Sequence, residues 1–252
     1  FVITHHPGVA EACGMTPEEF RRRHTLFAYA LAYMEAKRKE RLLCAGLDGD
    51  ATGVPLAAIN QNLTRCSPFL RFCPQCVEAE LHQYGESHWR RAHQLPGVAI
   101  CLEHHCTLLH TSLSLRSSVP MPPPHEVTGE PLTFGVPERV QLAIARWSVA
   151  SLEVRPEQGK HTAKWFYETA NRSGYAYRKN RVDRAALAAD IEAFYGHEYL
   201  QTIGCIVGTT PGSNWPWRLL SIGGVACEPL KNILLQVFLE FRSPAAGKAS
   251  VH

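Results

Sequence analysis

Apolar residues recur at helical spacing in several stretches of the chain and alternate in very few. Past Thr16, the residues Phe20, Phe27, Leu31 and Met34 fall on one helical face. Thr16 and Glu19 form a Thr-x-x-Glu capping box with Pro17 at the first helical position, which predicts a helix start at Thr16. The charged run "EAKRKER" that follows reads as a solvated face, "AGLDGDATG" as a loop and "VPLAAINQNL" as a short helix. In "VPERVQLAIARWSVASLEV", Val140, Ile144 and Trp147 share a face and predict the helix that opens a second unit. Farther on, "TAKWFYETANRSGYAYRKNRVDRAALAADIEAFYGHEYLQTIG" reads as helix, turn, helix, helix. Gly174 and Gly196 act as stops, Asp183 as a cap, and Leu187, Ile191 and Phe194 as an apolar stripe. Leu230, Ile233, Leu234, Val237, Phe238 and Phe241 predict a core helix in "EPLKNILLQVFLEF". Between these lies "LSLRSSVPMPPPHEVTGEP", which has no periodicity and reads as a linker or extended crossover. Strand signals are few and sit mostly in a cysteine-rich segment. The expected fold is therefore mainly α with small β content. It divides into a helical N-terminal part (1–65), a cysteine-rich module (66–112), a Pro-rich linker (113–136) and a helical domain with a helix-turn-helix-like segment (137–245).

Composition narrows this reading. A chain of 252 residues can bury two cores. Its 26 Lys and Arg against 23 Asp and Glu exclude a histone-like basic wrapper, so any nucleic acid would be met by local patches. No apolar run approaches the roughly 18 residues of a membrane helix, and the N-terminus has no signal-peptide pattern, so a cytosolic, reducing compartment is the expectation. The chain opens on Phe1 and reads as a piece of a longer protein whose missing part carries some of the function. In a reducing compartment, an odd number of cysteines, nine, with four of them clustered, points to metal rather than to disulfides. Cys13, Cys44, Cys66, Cys205 and Cys227 stand singly among apolar neighbours and read as buried thiols.

The cluster is Cys73-x-x-Cys76 and Cys101-x-x-His104, two ligand pairs separated by 24 residues. Each pair can chelate an ion from a tight turn, and zinc favours four thiolate or imidazole donors in a tetrahedron. His105 and Cys106 lie beside the second pair as alternatives to His104. Between the pairs, "VEAELHQY" reads as a short helix stopped by Gly85, "SHWRRAHQL" as an extended piece, Pro96-Gly97 as a turn and "VAI" as the return. A redox Cys-x-x-Cys would need a βαβ context and would leave the second pair unexplained. Four protein donors indicate a structural zinc ion, whereas a catalytic site keeps one position open. The His-x-Glu of a zinc deaminase is missing, as is any Walker-type phosphate loop. The alternative is a zinc-stabilised HNH-like endonuclease with His104 on the metal and His105 as general base. No downstream His or Asn completes such a site, so the chain is read as a non-enzyme. The lone histidines His24, His161 and His197 read as satisfied polar residues.

The order Arg71-Phe72-Cys73-Pro74-x-Cys76, Tyr84-Gly85-Glu86-x-x-Trp89-x-Arg91, Leu95-Pro96-Gly97-Val98, Cys101-x-x-His104 and Leu108 resembles the TniQ family of transposon proteins, which includes the TnsD-type target selectors. The upstream "HTLFAYALAYM" looks like the segment before the zinc module in that family. Downstream, "SNWPWRLLSIGGVACEPLKNILLQVFLEF" looks like the TnsD pattern of a Trp-containing turn followed by a Pro-Leu-x-x-x-Leu-Leu helix. Departures are the family's N-terminal segment, absent ahead of Phe1, "SIGGVA" where relatives carry basic residues, and His105 where they carry a small residue. The resemblance implies a DNA-binding target-site selection and adaptor protein of a Tn7-like transposon. Such a protein brings a TnsC-like AAA+ ATPase and transposase to double-stranded DNA, directly or through a CRISPR effector complex, in the bacterial cytoplasm at the nucleoid.

Candidate DNA contacts follow from the residues and this likeness together. "YAYRKNRVDR" places Arg178, Lys179, Arg181 and Arg184 at the entry to a helix, either as phosphate contacts or as a solvated basic turn. The resemblance favours DNA. In the module, strand alternation would bury Trp89 and Arg91 and expose Arg90 as a phosphate contact, with Lys37, Arg38, Lys39 and Arg41 adding to the footprint.

Overall fold

Thr16 opens its helix as its side chain dictates: the Glu19 N–H donates to Thr16 Oγ1 at 3.2 Å while the Thr16 N–H reaches back to Glu19 Oε2 at 3.0 Å. In the computed structural model, which describes residues 7–34, 69–114, 121–153, 163–177, 181–210, 213–220 and 228–242, this helix is the second of ten. The "EAKRKER" face, the "AGLDGDATG" loop, the "VPLAAINQNL" helix, His161, Cys44, Cys66, Cys227, Arg178 and Lys179 lie outside the described residues. The chain divides into two units, Phe1–Val154 and Arg155–His252. The described residues are mostly helical with little strand.

In the first unit, α1 (Pro7–Ala12), α2 (Pro17–His24) and α3 (Phe27–Ala30) come first. The continuous helix expected from Thr16 to Met34 is broken at Thr25, which is extended (φ −128°, ψ 177°). The cause is local hydrogen bonding: Thr25 Oγ1 donates to the Arg21 carbonyl at 2.5 Å and accepts from the Phe27 N–H at 3.1 Å, ending one helix just before the next begins. A three-stranded antiparallel sheet follows, in the order β1 (Phe69–Phe72), β2 (Leu109–Ser114), β3 (Glu130–Pro131). Its register pairs Arg71 with His110, Phe72 with Leu109 and His110 with Glu130. Gly129 lets β3 close on this sheet, since a Cβ there would meet the His110 carbonyl oxygen at 2.9 Å and Leu109 Cβ at 3.0 Å. Helix α4 (Pro74–Tyr84) leaves β1 and stops at Gly85 with φ 76°. The described part of the Pro-rich stretch is tied to the module: Trp89 Nε1 donates to the Pro122 carbonyl at 2.9 Å, and Ser87 Oγ pairs with His125 Nδ1 at 2.9 Å. Helix α5 (Glu138–Ala150) completes this unit by contact and buries Val140 and Ile144.

The second unit packs α6 (Ala163–Arg172), a two-stranded hairpin β4 (Ala176–Tyr177) and β5 (Arg181–Val182), α7 (Arg184–Tyr195), α8 (His197–Thr202), α9 (Trp215–Leu220) and α10 (Pro229–Arg242). Asp183 caps α7, with Oδ1 accepting the Ala186 N–H at 3.0 Å. The buried face of α7 is Leu187, Ile191 and Tyr195, with Phe194 half-buried against Phe238. Leu230, Ile233, Leu234, Val237 and Phe238 of α10 are buried, as expected of a core helix, and Tyr195 Oη donates to the Leu234 carbonyl at 2.7 Å. Among the described residues, no helix is long and apolar enough to cross a membrane.

Candidate metal centre and basic surface

The chain brings its two ligand pairs together at one end of the sheet, where β1 ends and β2 begins. Cys73 follows β1 directly and serves as the N-cap of α4, where its sulfur accepts the Cys76 N–H at 3.4 Å. A thiolate there faces the positive end of the helix. The second pair sits in a tight turn closed by Cys101 N–H to the Cys106 carbonyl at 2.9 Å and by an Ile100–Thr107 bridge. His105 lies inside this turn with a left-handed φ of 50° and is exposed to solvent. Its strained backbone belongs to the turn.

Four donor atoms, Cys73 Sγ, Cys76 Sγ, Cys101 Sγ and a His104 ring nitrogen, lie within 4.8 Å of one another. His104 Nδ1 is 3.5, 3.3 and 3.8 Å from the sulfurs of Cys73, Cys76 and Cys101, and the sulfurs of Cys76 and Cys101 are 3.6 Å apart. The edge of a tetrahedron with zinc–sulfur bonds near 2.3 Å is about 3.8 Å, so the spacing suits that coordination. The three cysteines are buried and His104 is half-buried.

Proton affinities give a second test of fit. Hydrogen bonding from the Cys76 thiol, partly opposed by burial and aided by His93, pulls Cys101 down to about 2. Sharing its proton with Cys101, together with burial, pushes Cys76 far above an ordinary thiol. Burial raises Cys73 to about 12. Three buried thiols cannot all ionise side by side unless a cation compensates them, and a divalent metal supplies that charge. Cys73, Cys76, Cys101 and His104 would hold it.

The surrounding residues explain the rest of the module. The Arg71 guanidinium is buried and donates to the Val98 carbonyl at 2.6 Å and the Leu95 carbonyl at 2.9 Å, fixing the Leu-Pro-Gly-Val turn. Gln94 exchanges amide hydrogen bonds with the Arg71 backbone at 3.0 and 2.6 Å. His93, 5% exposed, places Nε2 at 4.0 Å from Cys76 Sγ. The sequence offered no sign of that role beyond an imidazole between two ligand pairs. Arg91 donates to the Arg22 and Thr25 carbonyls at 2.6 and 3.3 Å, covering the free end of α2. The edge of Trp89 meets Phe72, with ring centroids 6.0 Å apart.

The alternation expected over Trp89–Arg91 does not hold, because Arg91–Gln94 winds into a 3₁₀ turn. Arg90 is accordingly half-buried and clamped between two carboxylates: Nε donates to Glu80 Oε1 at 2.6 Å and Nη1 to Glu103 Oε1. Arg184 heads α7 and is exposed, with its guanidinium 4.6 Å from the Trp217 ring centre. Arg181 stands in β5 opposite Tyr177. The metal donors therefore converge, whereas Arg90 belongs to the first unit and Arg181 and Arg184 to the second. Of the cysteines expected to be buried, Cys205 is, but Cys13 is exposed because it follows α1 into the Gly14 turn.

Comparison with known proteins places two families on this framework. Residues 8–108 match the family model TniQ, and residues 148–250 match that of Tn7-like transposition protein D. Transposon Tn7 transposition protein TnsD of Escherichia coli is 26% identical over 83 residues, which cover 32% of this chain and 16% of that protein.

Proposed function

We propose that this chain, a protein of the TniQ/TnsD type, is a target-site selection subunit of a Tn7-like transposon that holds one structural zinc ion and acts without catalysis of its own. The observation that carries this reading is the closed Cys3His cluster within residues 8–108, the stretch that matches TniQ. Four protein donors fill a zinc shell and leave no position for an attacking water, which favours a structural ion over an endonuclease. The ion supplies compensating charge and a rigid cross-link between the two turns. It thereby orders the module that the rest of the protein presents.

In this reading the second unit meets double-stranded DNA through the head of α7. Asp183 caps the helix, and the exposed Arg184 stands in its first turn, with its guanidinium over the Trp217 ring and open to a phosphate. Arg178, Lys179 and Arg181 precede it in sequence and add phosphate contacts. Arg90, held by Glu80 and Glu103, serves the module's structure first and a DNA phosphate second. The partners downstream are a TnsC-like AAA+ ATPase and the transposase, with the site chosen directly or through a CRISPR effector complex.

Three measurements test the reading. Elemental analysis should find a single zinc per chain, lost in Cys73→Ser and Cys101→Ser along with the fold of the module. Salt-titrated binding to duplex DNA should weaken in Arg178→Ala, Lys179→Ala, Arg181→Ala and Arg184→Ala, with the slope of log K against log salt reduced by about 1 for each phosphate contact removed. Binding unchanged in all four variants would remove DNA from the second unit. Plasmid cleavage with magnesium or manganese that vanishes in His105→Ala would install the endonuclease instead.

A further inference from the structure

Cys106 stands outside the four-donor cluster, yet its Sγ lies 3.3 Å from that of Cys73, closer than the 3.6 Å between the Cys76 and Cys101 sulfurs. The two residues are 33 apart in sequence, and the fold brings them together: Cys73 caps α4, while Cys106 closes the second ligand turn through its carbonyl. Their surroundings differ. Cys73 is buried, whereas Cys106 is partly open to solvent. With His104 as the nitrogen donor, the shell is complete and Cys106 is a spare thiol in contact with a ligand sulfur.

We propose that Cys73 and Cys106 form an oxidation-sensitive pair through which a peroxide converts the metal-holding module into a disulfide-linked, metal-free form. The inference rests on the zinc reading above. The Cys73 thiolate attacks one oxygen of hydrogen peroxide, the O–O bond breaks, hydroxide leaves, and Cys73 becomes a sulfenic acid. The Cys106 sulfur then attacks the Cys73 sulfur; an S–S bond forms, the S–O bond breaks, and the Cys106 proton leaves with the oxygen as water. Two sulfurs lose two electrons, and the peroxide gains them. The pair closes from 3.3 Å to a bond of about 2.05 Å. The metal site is then left with Cys76, Cys101 and His104. A dithiol reductant reverses the step by thiol–disulfide exchange and restores the fourth donor. Cys106 protects the site in this way, because rapid disulfide formation diverts the Cys73 sulfenic acid from irreversible sulfinic acid.

The experiment uses the whole chain as purified, with its zinc measured first. Hydrogen peroxide is added in small excess, zinc release is followed with a chromogenic chelator, and disulfides are mapped by peptide mass spectrometry. The expected result is one zinc released per Cys73–Cys106 disulfide, with zinc binding recovered after dithiothreitol. Cys106→Ser should keep its zinc content before oxidation but accumulate sulfinic acid at Cys73 under peroxide, so that dithiothreitol no longer restores zinc binding. Full recovery of zinc binding with dithiothreitol in Cys106→Ser, or a Cys76–Cys101 disulfide with Cys106 still free, would overturn the proposal. A preparation without zinc defeats the metal reading alone; the mapped disulfide still decides the pair.

Discussion

At the scale of single residues, the module depends on groups that satisfy buried polar atoms as much as on its four metal donors. Arg71 is the clearest case. Its guanidinium binds the carbonyls of Leu95 and Val98 inside the protein, and the Leu95 carbonyl also accepts the Val98 N–H at 3.2 Å. Removing it leaves the Val98 carbonyl without this donor, at about 1–3 kcal/mol, and takes one of two hydrogen bonds from the Leu95 carbonyl. Arg71→Ala is therefore expected to lower the unfolding free energy of the protein by about 2 kcal/mol in chemical denaturation. Arg71→Lys should recover only part, since an ammonium cannot present the planar fork that reaches both carbonyls. A loss under about 1 kcal/mol for the alanine variant would show that the turn holds without this tie. Arg90 follows the same logic. Glu80 is 3% exposed and relies on Arg90 for compensation, so any change in DNA binding by an Arg90 variant must be separated from a change in folding.

At the scale of elements, helix boundaries are set by side chains that bond to the backbone. Thr16 starts α2, Thr25 ends it, and Asp183 starts α7. The Thr25 break was hidden from the periodicity of Phe20, Phe27, Leu31 and Met34. Threonine does end helices through its hydroxyl, but the exposed carbonyls it leaves are covered by Arg91, far along the chain. For α7, Asp183→Ala should cost about 1 kcal/mol of stability, and Asp183→Asn almost nothing, because the amide oxygen also accepts the Ala186 N–H. Denaturant midpoints of the two variants check this. If DNA binding falls with Asp183→Ala at temperatures where the protein stays folded, the orientation of Arg184 depends on a well-formed first turn.

At the scale of the whole molecule, the metal donors all belong to the first unit, while the second has a core of its own built from Phe166, Leu187, Ile191, Tyr195, Ile233, Leu234 and Phe238. Chelation should act on one unit and spare the other. A strong chelator is expected to collapse the NMR shift dispersion of residues 69–114, because the two turns then lose their link and the buried sulfurs lose a compensating cation. Signals from the α7–α10 core should persist. Loss of both sets together would mean that the units fold as one cooperative body.

The sequence by itself determined the spacing of four metal donors, the caps at Thr16 and Asp183, the stop at Gly85 and the core face of α10. Each is written in a short stretch, since chelation, capping and helical periodicity act over a few residues. Tertiary structure decided what depends on distance along the chain. It brought the His104 imidazole within 3.8 Å of all three sulfurs, so that these four atoms could hold a metal. It placed Cys106 against Cys73, turned Arg90 from an outward cation into the partner of Glu80 and Glu103, and drew part of the Pro-rich stretch onto the sheet. Those outcomes were set by residues too far apart in sequence for any local pattern to report them.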